Sequence, residues 1–153
     1  MSMVGLLGLD DDVMAALAAD RWPGWAEAET RLARVSEPAR LNAWRRQAPR
    51  QEANEVLLGL ARLAAFDGCD DHDAALVLAW LLLPVALRVR REVADVGQDH
   101  DSIIAGQLWV EVRSIPWQRP HEVAVRIRYL LREAALVECG VRTRRHPAAR
   151  PLP

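Results

Sequence analysis

The chain has 153 residues, of which 51% are hydrophobic and 27% are charged. This composition excludes a disordered chain, and the length suits one domain that buries its core without metals or disulfides. The net charge of −1 divides unevenly, because residues 1–118 hold 12 arginines against 18 acids and residues 119–153 hold 8 arginines against 3. A basic carboxyl-terminal part favours a polyanion or an acidic partner.

Neither the cysteines nor the amino terminus predicts export. Cys69 and Cys139 share no CxxC spacing, which excludes a zinc knuckle or redox motif, and both thiols are expected to stay reduced. Residues 1–9 lack the basic start of a signal peptide and run into acids at Asp10. The most apolar run, residues 74–87, is shorter than the roughly 20 residues that cross a bilayer, so it predicts a core helix. We therefore expect a cytoplasmic protein.

Helix start signals divide the amino-terminal part of the chain. Asp10 and the two acids after it can cap a first helix, and apolar residues at helical spacing in 51–66 predict an amphipathic helix that stops near Gly68. Three prolines suit the first turn of later helices: Pro23, Pro38 and Pro49. Four large apolar side chains are expected to pack into the core: Trp22, Trp25, Leu32 and Trp44.

A long helix is predicted to follow the acids at 70–73. It runs through Val93, and Pro84 within it removes one backbone donor and bends it. Because a bend costs less than two separate helix ends, we expect one kinked helix. A second acidic start at Asp99 begins another helix, which runs to about Arg113.

One further helix is predicted before a basic tail. It starts at Pro120, carries apolar residues at helical spacing and ends at Gly140. Residues 141–153 contain four arginines, three prolines and no apolar period. That composition predicts a mobile basic tail.

Together these signals predict an all-α protein, because no period-two strand pattern occurs. The expected fold is an orthogonal bundle of about six or seven helices, one of them kinked at Pro84. A single domain covers residues 1–140, with amino-terminal helices in 1–68 and the remaining helices in 69–140.

Two strings of metal-ligand residue types are better explained as helix caps. Residues 69–73 gather a cysteine, a histidine and three aspartates, and residues 99–101 repeat part of that string. Both stand where a helix begins, and carboxylates there accept backbone N–H hydrogen bonds. His121 and Glu122 begin like a metalloprotease helix, but Val125 stands where the second histidine is needed. We predict no metal site.

The sequence also lacks catalytic motifs. It has no GxSxG serine turn and no glycine-rich phosphate loop ending in GK[ST]. Carboxylates are abundant, but nothing in the sequence shows two of them converging in an apolar pocket that would separate their pKa values. We therefore predict neither an enzyme nor a bound cofactor.

Three stretches in the second half of the chain follow one another in a specific order. An apolar helix body, AALVLAWLLLP at 74–84, precedes an acidic start and an aromatic-bearing helix, DSIIAGQLW at 101–109, and a final helix follows at 123–132. This order resembles the second conserved region of bacterial sigma factors, which grips RNA polymerase and reads the upstream promoter hexamer. The resemblance extends from Asp73 to Leu136. The whole chain also resembles small helical proteins of high-GC Gram-positive bacteria.

The resemblance implies a non-enzymatic, transcription-associated protein that binds RNA polymerase, DNA or both. It places four residues on the polymerase side: Asp101, Gln107, Trp109 and Arg113. It places five residues on the nucleic-acid side: Trp117, Arg126, Arg128, Tyr129 and Arg132. Arginines four residues apart share a helix face and can contact phosphates, while Tyr129 offers a stacking surface to an unpaired base.

The sequence departs from the sigma pattern in two respects. The family carries a cluster of aromatic residues around its final helix, whereas this chain has only Trp117 and Tyr129 there, so promoter melting is not expected. No second helix-turn-helix module follows Gly140, so recognition of a downstream promoter element is not expected either.

Two alternatives stay open at this point. Arg128 and Arg132 can simply be solvated and balanced by Glu133 and Glu138. The competing function is a structural or protein-interaction module, for example a homodimer whose apolar face at 80–87 meets another helix.

Overall fold

The computed structural model describes residues 2–94 and 99–138, which form seven α-helices and two 3-10 helices. The α-helices are α1 (Met3–Leu7), α2 (Asp11–Ala28), α3 (Leu41–Gln47), α4 (Arg50–Ala64), α5 (His72–Glu92), α6 (His100–Val112) and α7 (Val123–Glu138). The 3-10 helices, Thr30–Arg34 and Pro38–Arg40, lie between α2 and α3. No strand occurs in this part of the chain, so the predicted all-α bundle is confirmed. The predicted helix end at Gly140 and the tail at 141–153 lie outside the described residues.

α5 is the central helix of the bundle. It packs against α2, α4, α6 and α7, and 11 of its 21 residues are buried. Pro84 lies inside it, and the helix bends there without ending, as predicted. By length and composition α5 could cross a membrane, but 61% of its apolar window is buried inside the protein. Its apolar surface therefore packs in the chain's own core.

The chain itself buries much of the face at 80–87, which the homodimer alternative assigned to contact with another helix. Leu82 is fully buried and Trp80 is 3% exposed. The indole N–H of Trp80 also donates a 2.8 Å hydrogen bond to Asp11 in the first turn of α2. Leu87 is the large hydrophobic residue of this stretch that is exposed. The face is covered because its own chain supplies the apolar partners.

Pro23 does not begin a helix, contrary to the prediction. It lies inside α2, between the buried side chains of Trp22 and Trp25. The indole of Trp22 donates to the carbonyl of Leu32 at 3.0 Å, and that of Trp25 donates to Asp71 at 2.8 Å. Tertiary packing of the two rings holds α2 continuous despite the missing proline N–H.

Helix capping by acids is confirmed at three helix starts. The side chains of three aspartates accept from a backbone N–H three residues on: Asp10 from Val13, Asp71 from Ala74 and Asp99 from Ser102. Asp101 is not a cap, because its carboxylate pairs with Arg90 instead. Pro38 begins the second 3-10 helix as predicted, whereas Pro49 precedes the first residue of α4.

Candidate nucleic-acid interface and arginine groove

The outward face of α7 carries most of the residues predicted to contact nucleic acid. Tyr129 is 60% exposed and Val125, one turn earlier, is 51% exposed. Arg126, Arg128 and Arg132 are exposed on the same helix. The opposite side is buried in the core through Val123, Ile127, Leu131, Ala135 and Leu136. One helix thus presents an aromatic ring, an aliphatic side chain and three guanidinium groups to solvent.

Two of these arginines share one acid of α5. Arg128 donates to Glu92 at 2.5 Å, and the Nε of Arg132 lies 3.7 Å from the other Glu92 oxygen. Sequence reasoning missed Glu92 because it precedes Arg128 by 36 residues. Arg126 has no ion pair among the described residues, so it is the most available cation of the α7 face.

Trp117 lies away from the α7 face. Its indole N–H donates to Asp67 at 3.2 Å, and the guanidinium of Arg62 lies 6.0 Å from its ring centre. Asp67 precedes the first residue of α5, whereas Glu92, the partner of Arg128, is the last residue of that helix. A helix of 21 residues spans about 30 Å. The structure therefore does not bring Trp117 together with Arg128 and Arg132, the two arginines that pair with Glu92.

The residues predicted to face RNA polymerase have partners within the chain. Asp101 accepts from the Nε of Arg90 at 2.6 Å, and Gln107 donates within α6 to a neighbouring carboxylate at 2.8 Å. Trp109 packs edge-on against His72, with 5.2 Å between ring centres. The contacts of Asp101 and Trp109 hold α6 against α5.

Arg113 holds the turn between α4 and α5. It donates to the carbonyl of Ala64 at 2.9 Å and pairs with Asp70. Asp70 has a φ of 52°, and a Cβ at Gly68 would lie 2.0 Å from the carbonyl oxygen of Arg62. A turn this tight needs the glycine, and Arg113, the residue after α6, fixes it.

An apolar depression lies beside Trp109 and has a volume of about 530 Å³. Its lining is formed by Leu6, Leu7, His72, Leu76, Ser102, Ala105, Gly106 and Trp109. One wall comes from α1, which the sequence did not predict because five residues carry too little helical periodicity. The depression gives this end of the molecule an apolar contact surface.

A second cavity, of about 490 Å³, lies among α3, α4, α5 and α7. Its apolar lining consists of Ala48, Ala53, Leu57, Pro84, Val85, Ala124 and Val125. Its polar lining consists of Arg45, Arg50, Asn54, Arg88, Glu122 and Arg128. Four guanidinium groups thus face one carboxylate. We call this cavity the arginine groove.

Two of the four arginines in the groove have no acidic partner among the described residues. The other two are paired, Arg50 with Glu122 and Arg128 with Glu92. The unpaired two are Arg45 and Arg88. The Nε of Arg45 is buried without a hydrogen bond to any described group. Burial lowers the pKa of Arg45, because the charged guanidinium loses hydration that no acid replaces.

Asn54 fixes the start of α7 at the edge of the groove. Its amide N–H donates to the carbonyl of His121 at 2.7 Å, and its carbonyl accepts from the backbone N–H of Val123 at 2.9 Å. One side chain of α4 therefore caps α7. Because the first turns of α4 and α7 both line the groove, the positive ends of two helix dipoles add to its potential.

Glu29 gathers two further arginines in a different arrangement. It is 7% exposed, and Arg31 donates to its two oxygens at 2.8 and 3.0 Å. Arg62 donates to it at 3.2 Å. The hydrogen bond from Arg31 lowers the pKa of Glu29, and the same bond raises the pKa of Arg31. We call these three residues the Glu29 cluster.

Comparison of the chain with protein-family models, curated proteins and solved structures finds no match. The resemblance to the second sigma region therefore stays a prediction. Among residues 2–94 and 99–138, no group of three histidine, cysteine or acidic side chains is placed to hold a metal ion. The α7 face and the arginine groove are the two candidate sites.

Proposed function

We propose that the protein is a non-enzymatic, transcription-associated protein of the cytoplasm that binds DNA through the outward face of α7. The observation that carries this proposal is Tyr129, which is 60% exposed on a helix that also exposes Arg126. An exposed ring can stack on an unpaired base, and guanidinium groups beside it can contact the phosphates. Unpaired DNA is therefore preferred over duplex.

RNA polymerase is the proposed protein partner, at the end of the molecule that carries Trp109. The order of sigma-like stretches supports this partner, and the apolar depression beside Trp109 offers a contact surface. Arg113 contributes to the fold of this end rather than to the contact, since it is bound to Ala64 and Asp70.

The DNA half of the proposal is tested by fluorescence anisotropy with labelled single-stranded and duplex oligonucleotides over a range of salt. If about three phosphates are neutralised, the logarithm of affinity falls with the logarithm of salt at a slope of about −2 to −3. Tyr129→Ala should weaken single-stranded binding by roughly 1–3 kcal/mol and duplex binding by less. Arg126→Ala should make the slope shallower by about one unit.

Arg40→Ala is the matched control, because it removes an exposed arginine that lies on the second 3-10 helix and pairs with Glu37. It should leave both affinity and slope unchanged. Absence of DNA affinity at low salt, with the protein alone and with purified RNA polymerase core enzyme, would overturn the proposal. A structural or protein-interaction module would then be the better account.

A further inference from the structure

The arginine groove holds positive charge that the described part of the chain does not neutralise. Arg45 and Arg88 have no acidic partner there, and the Nε of Arg45 is shielded from water as well. A buried cation without a partner destabilises a fold, whereas an apolar side chain at the same place would not. An arrangement kept at this cost is typical of a binding site.

The geometry of the groove favours a phosphate over a carboxylate. Its arginines come from four separate helices, so their guanidinium groups can approach one anion from several sides. A phosphomonoester carries about two negative charges at pH 7 and accepts several N–H donors, which matches two unpaired guanidinium groups. A carboxylate can contact two guanidinium groups, but its single negative charge would neutralise only one of them.

The volume and lining of the groove favour an organic body attached to that phosphate. About 490 Å³ falls within the range of small-molecule sites. Leu57, Pro84, Val85 and Val125 provide apolar surface between the arginines. A planar or apolar group can lie on these side chains while its phosphate meets the guanidinium groups.

We propose that the arginine groove binds a phosphomonoester, either the phosphate of a free nucleotide or the 5′-phosphate at the end of a nucleic-acid strand. Arg45 and Arg88 bind the anion directly, and Arg50 and Arg128 add to the potential from their ion pairs. Val125 and Arg128 line the groove and also belong to the outward face of α7, but the groove does not depend on stacking at Tyr129. Replacement of Tyr129 therefore separates phosphate binding from the proposed DNA contact.

The test is isothermal titration calorimetry of the full chain with adenosine 5′-monophosphate (AMP) and with adenosine, at constant ionic strength. AMP should bind and adenosine should not. Arg45→Met, which keeps the apolar stem, and Arg88→Gln should each weaken AMP binding about tenfold or more. Melting curves of both variants check that the fold is kept. Arg88 is exposed, so its replacement should leave the core intact.

The chain offers a matched control beside each of these arginines. Arg46 and Arg91 are exposed neighbours that do not line the groove. Arg46→Gln and Arg91→Gln should bind AMP like the unmodified protein. Equal losses in Arg45→Met and Arg46→Gln would mean that overall charge alone attracts the nucleotide, and the groove would not be the site.

A second comparison separates the two sources of the phosphate. A single-stranded oligonucleotide with a 5′-phosphate is compared with the same strand ending in a 5′-hydroxyl. If the phosphorylated strand binds more tightly and Arg45→Met removes only that preference, the strand end is the ligand. If AMP binds and the two strands bind equally well, the free nucleotide is the ligand. Tyr129→Ala should leave AMP affinity unchanged. The proposal would be overturned if neither AMP binding nor binding of the 5′-phosphorylated strand depended on Arg45.

Discussion

Arginine has opposite roles at the two ends of α4. At the carboxyl end, Arg62 and Arg31 share the buried carboxylate of Glu29. At the amino end, the arginine groove contains Arg45 and Arg88, neither of which pairs with an acid among the described residues, since Glu122 pairs with Arg50. In this comparison an arginine with a buried acid in its own chain stabilises the fold, whereas an arginine without one keeps the charge that the proposed phosphate would bind.

The largest effect is expected from removing the acid of the Glu29 cluster. Glu29→Ala leaves two guanidinium groups without their carboxylate, and loss of one partner from a buried ion pair costs about 3–5 kcal/mol. Urea denaturation measures the change in the free energy of unfolding. Glu37→Ala, which breaks the exposed pair with Arg40, should cost no more than about 0.5 kcal/mol. Equal losses in the two variants would remove the distinction between the Glu29 cluster and a surface pair.

Arg62, near the carboxyl end of α4, and Arg45, on α3 beside its amino end, should differ in how their replacement changes the free energy of unfolding. Arg62→Met removes hydrogen bonds to Glu29 and to the carbonyl of Ala28, and should lower the free energy of unfolding by about 1.5–3 kcal/mol. Arg45→Met removes a partly buried charge that lacks an acid, and should leave stability unchanged or raise it by up to about 1 kcal/mol. A comparable loss in Arg45→Met would show that Arg45 is a structural residue.

The smallest effect is a change of stability with pH. Because the pKa of Glu29 is lowered in the folded state, its contribution is complete above the ordinary carboxyl pKa of 4.5 and is lost as the pH falls below it. The groups that face Glu29 are the guanidinium groups of Arg31 and Arg62. The difference in melting temperature between the unmodified protein and Glu29→Gln should therefore be constant from pH 6 to 8 and shrink below about pH 4. A difference that grows towards low pH would contradict the assignment.

Local signals in the sequence predicted much of the fold. The bend at Pro84 and the caps at Asp10, Asp71 and Asp99 depend on residues within one turn of the chain, so they could be read directly. The interpretation of Pro23 as a helix start failed because Trp22 and Trp25 are fixed by partners distant in sequence. Tertiary packing overrides a local signal there.

Of the two candidate sites, the α7 face could be predicted from the sequence and the arginine groove could not. The exposed face at Arg126 and Tyr129 follows from helical spacing along α7. Helical spacing does not show which arginines pair with an acid. Glu92 and Arg128 are 36 residues apart and pair only once α5 and α7 pack together. No local sequence pattern indicates a role for Arg45, because the arginine groove forms only where four helices meet.

The most direct test of this contrast is a two-dimensional ¹H–¹⁵N NMR spectrum of the arginine Nε–H groups, recorded with and without AMP. The signals of Arg45 and Arg88 should move on addition of the nucleotide, because their guanidinium groups receive the phosphate. The signals of Arg31 and Arg62 should stay in place, because both guanidinium groups are already bound to Glu29, Arg31 through Nε and Arg62 through Nη1. Shifts as large at Arg31 and Arg62 as at Arg45, or no arginine shift at saturating AMP, would contradict the account.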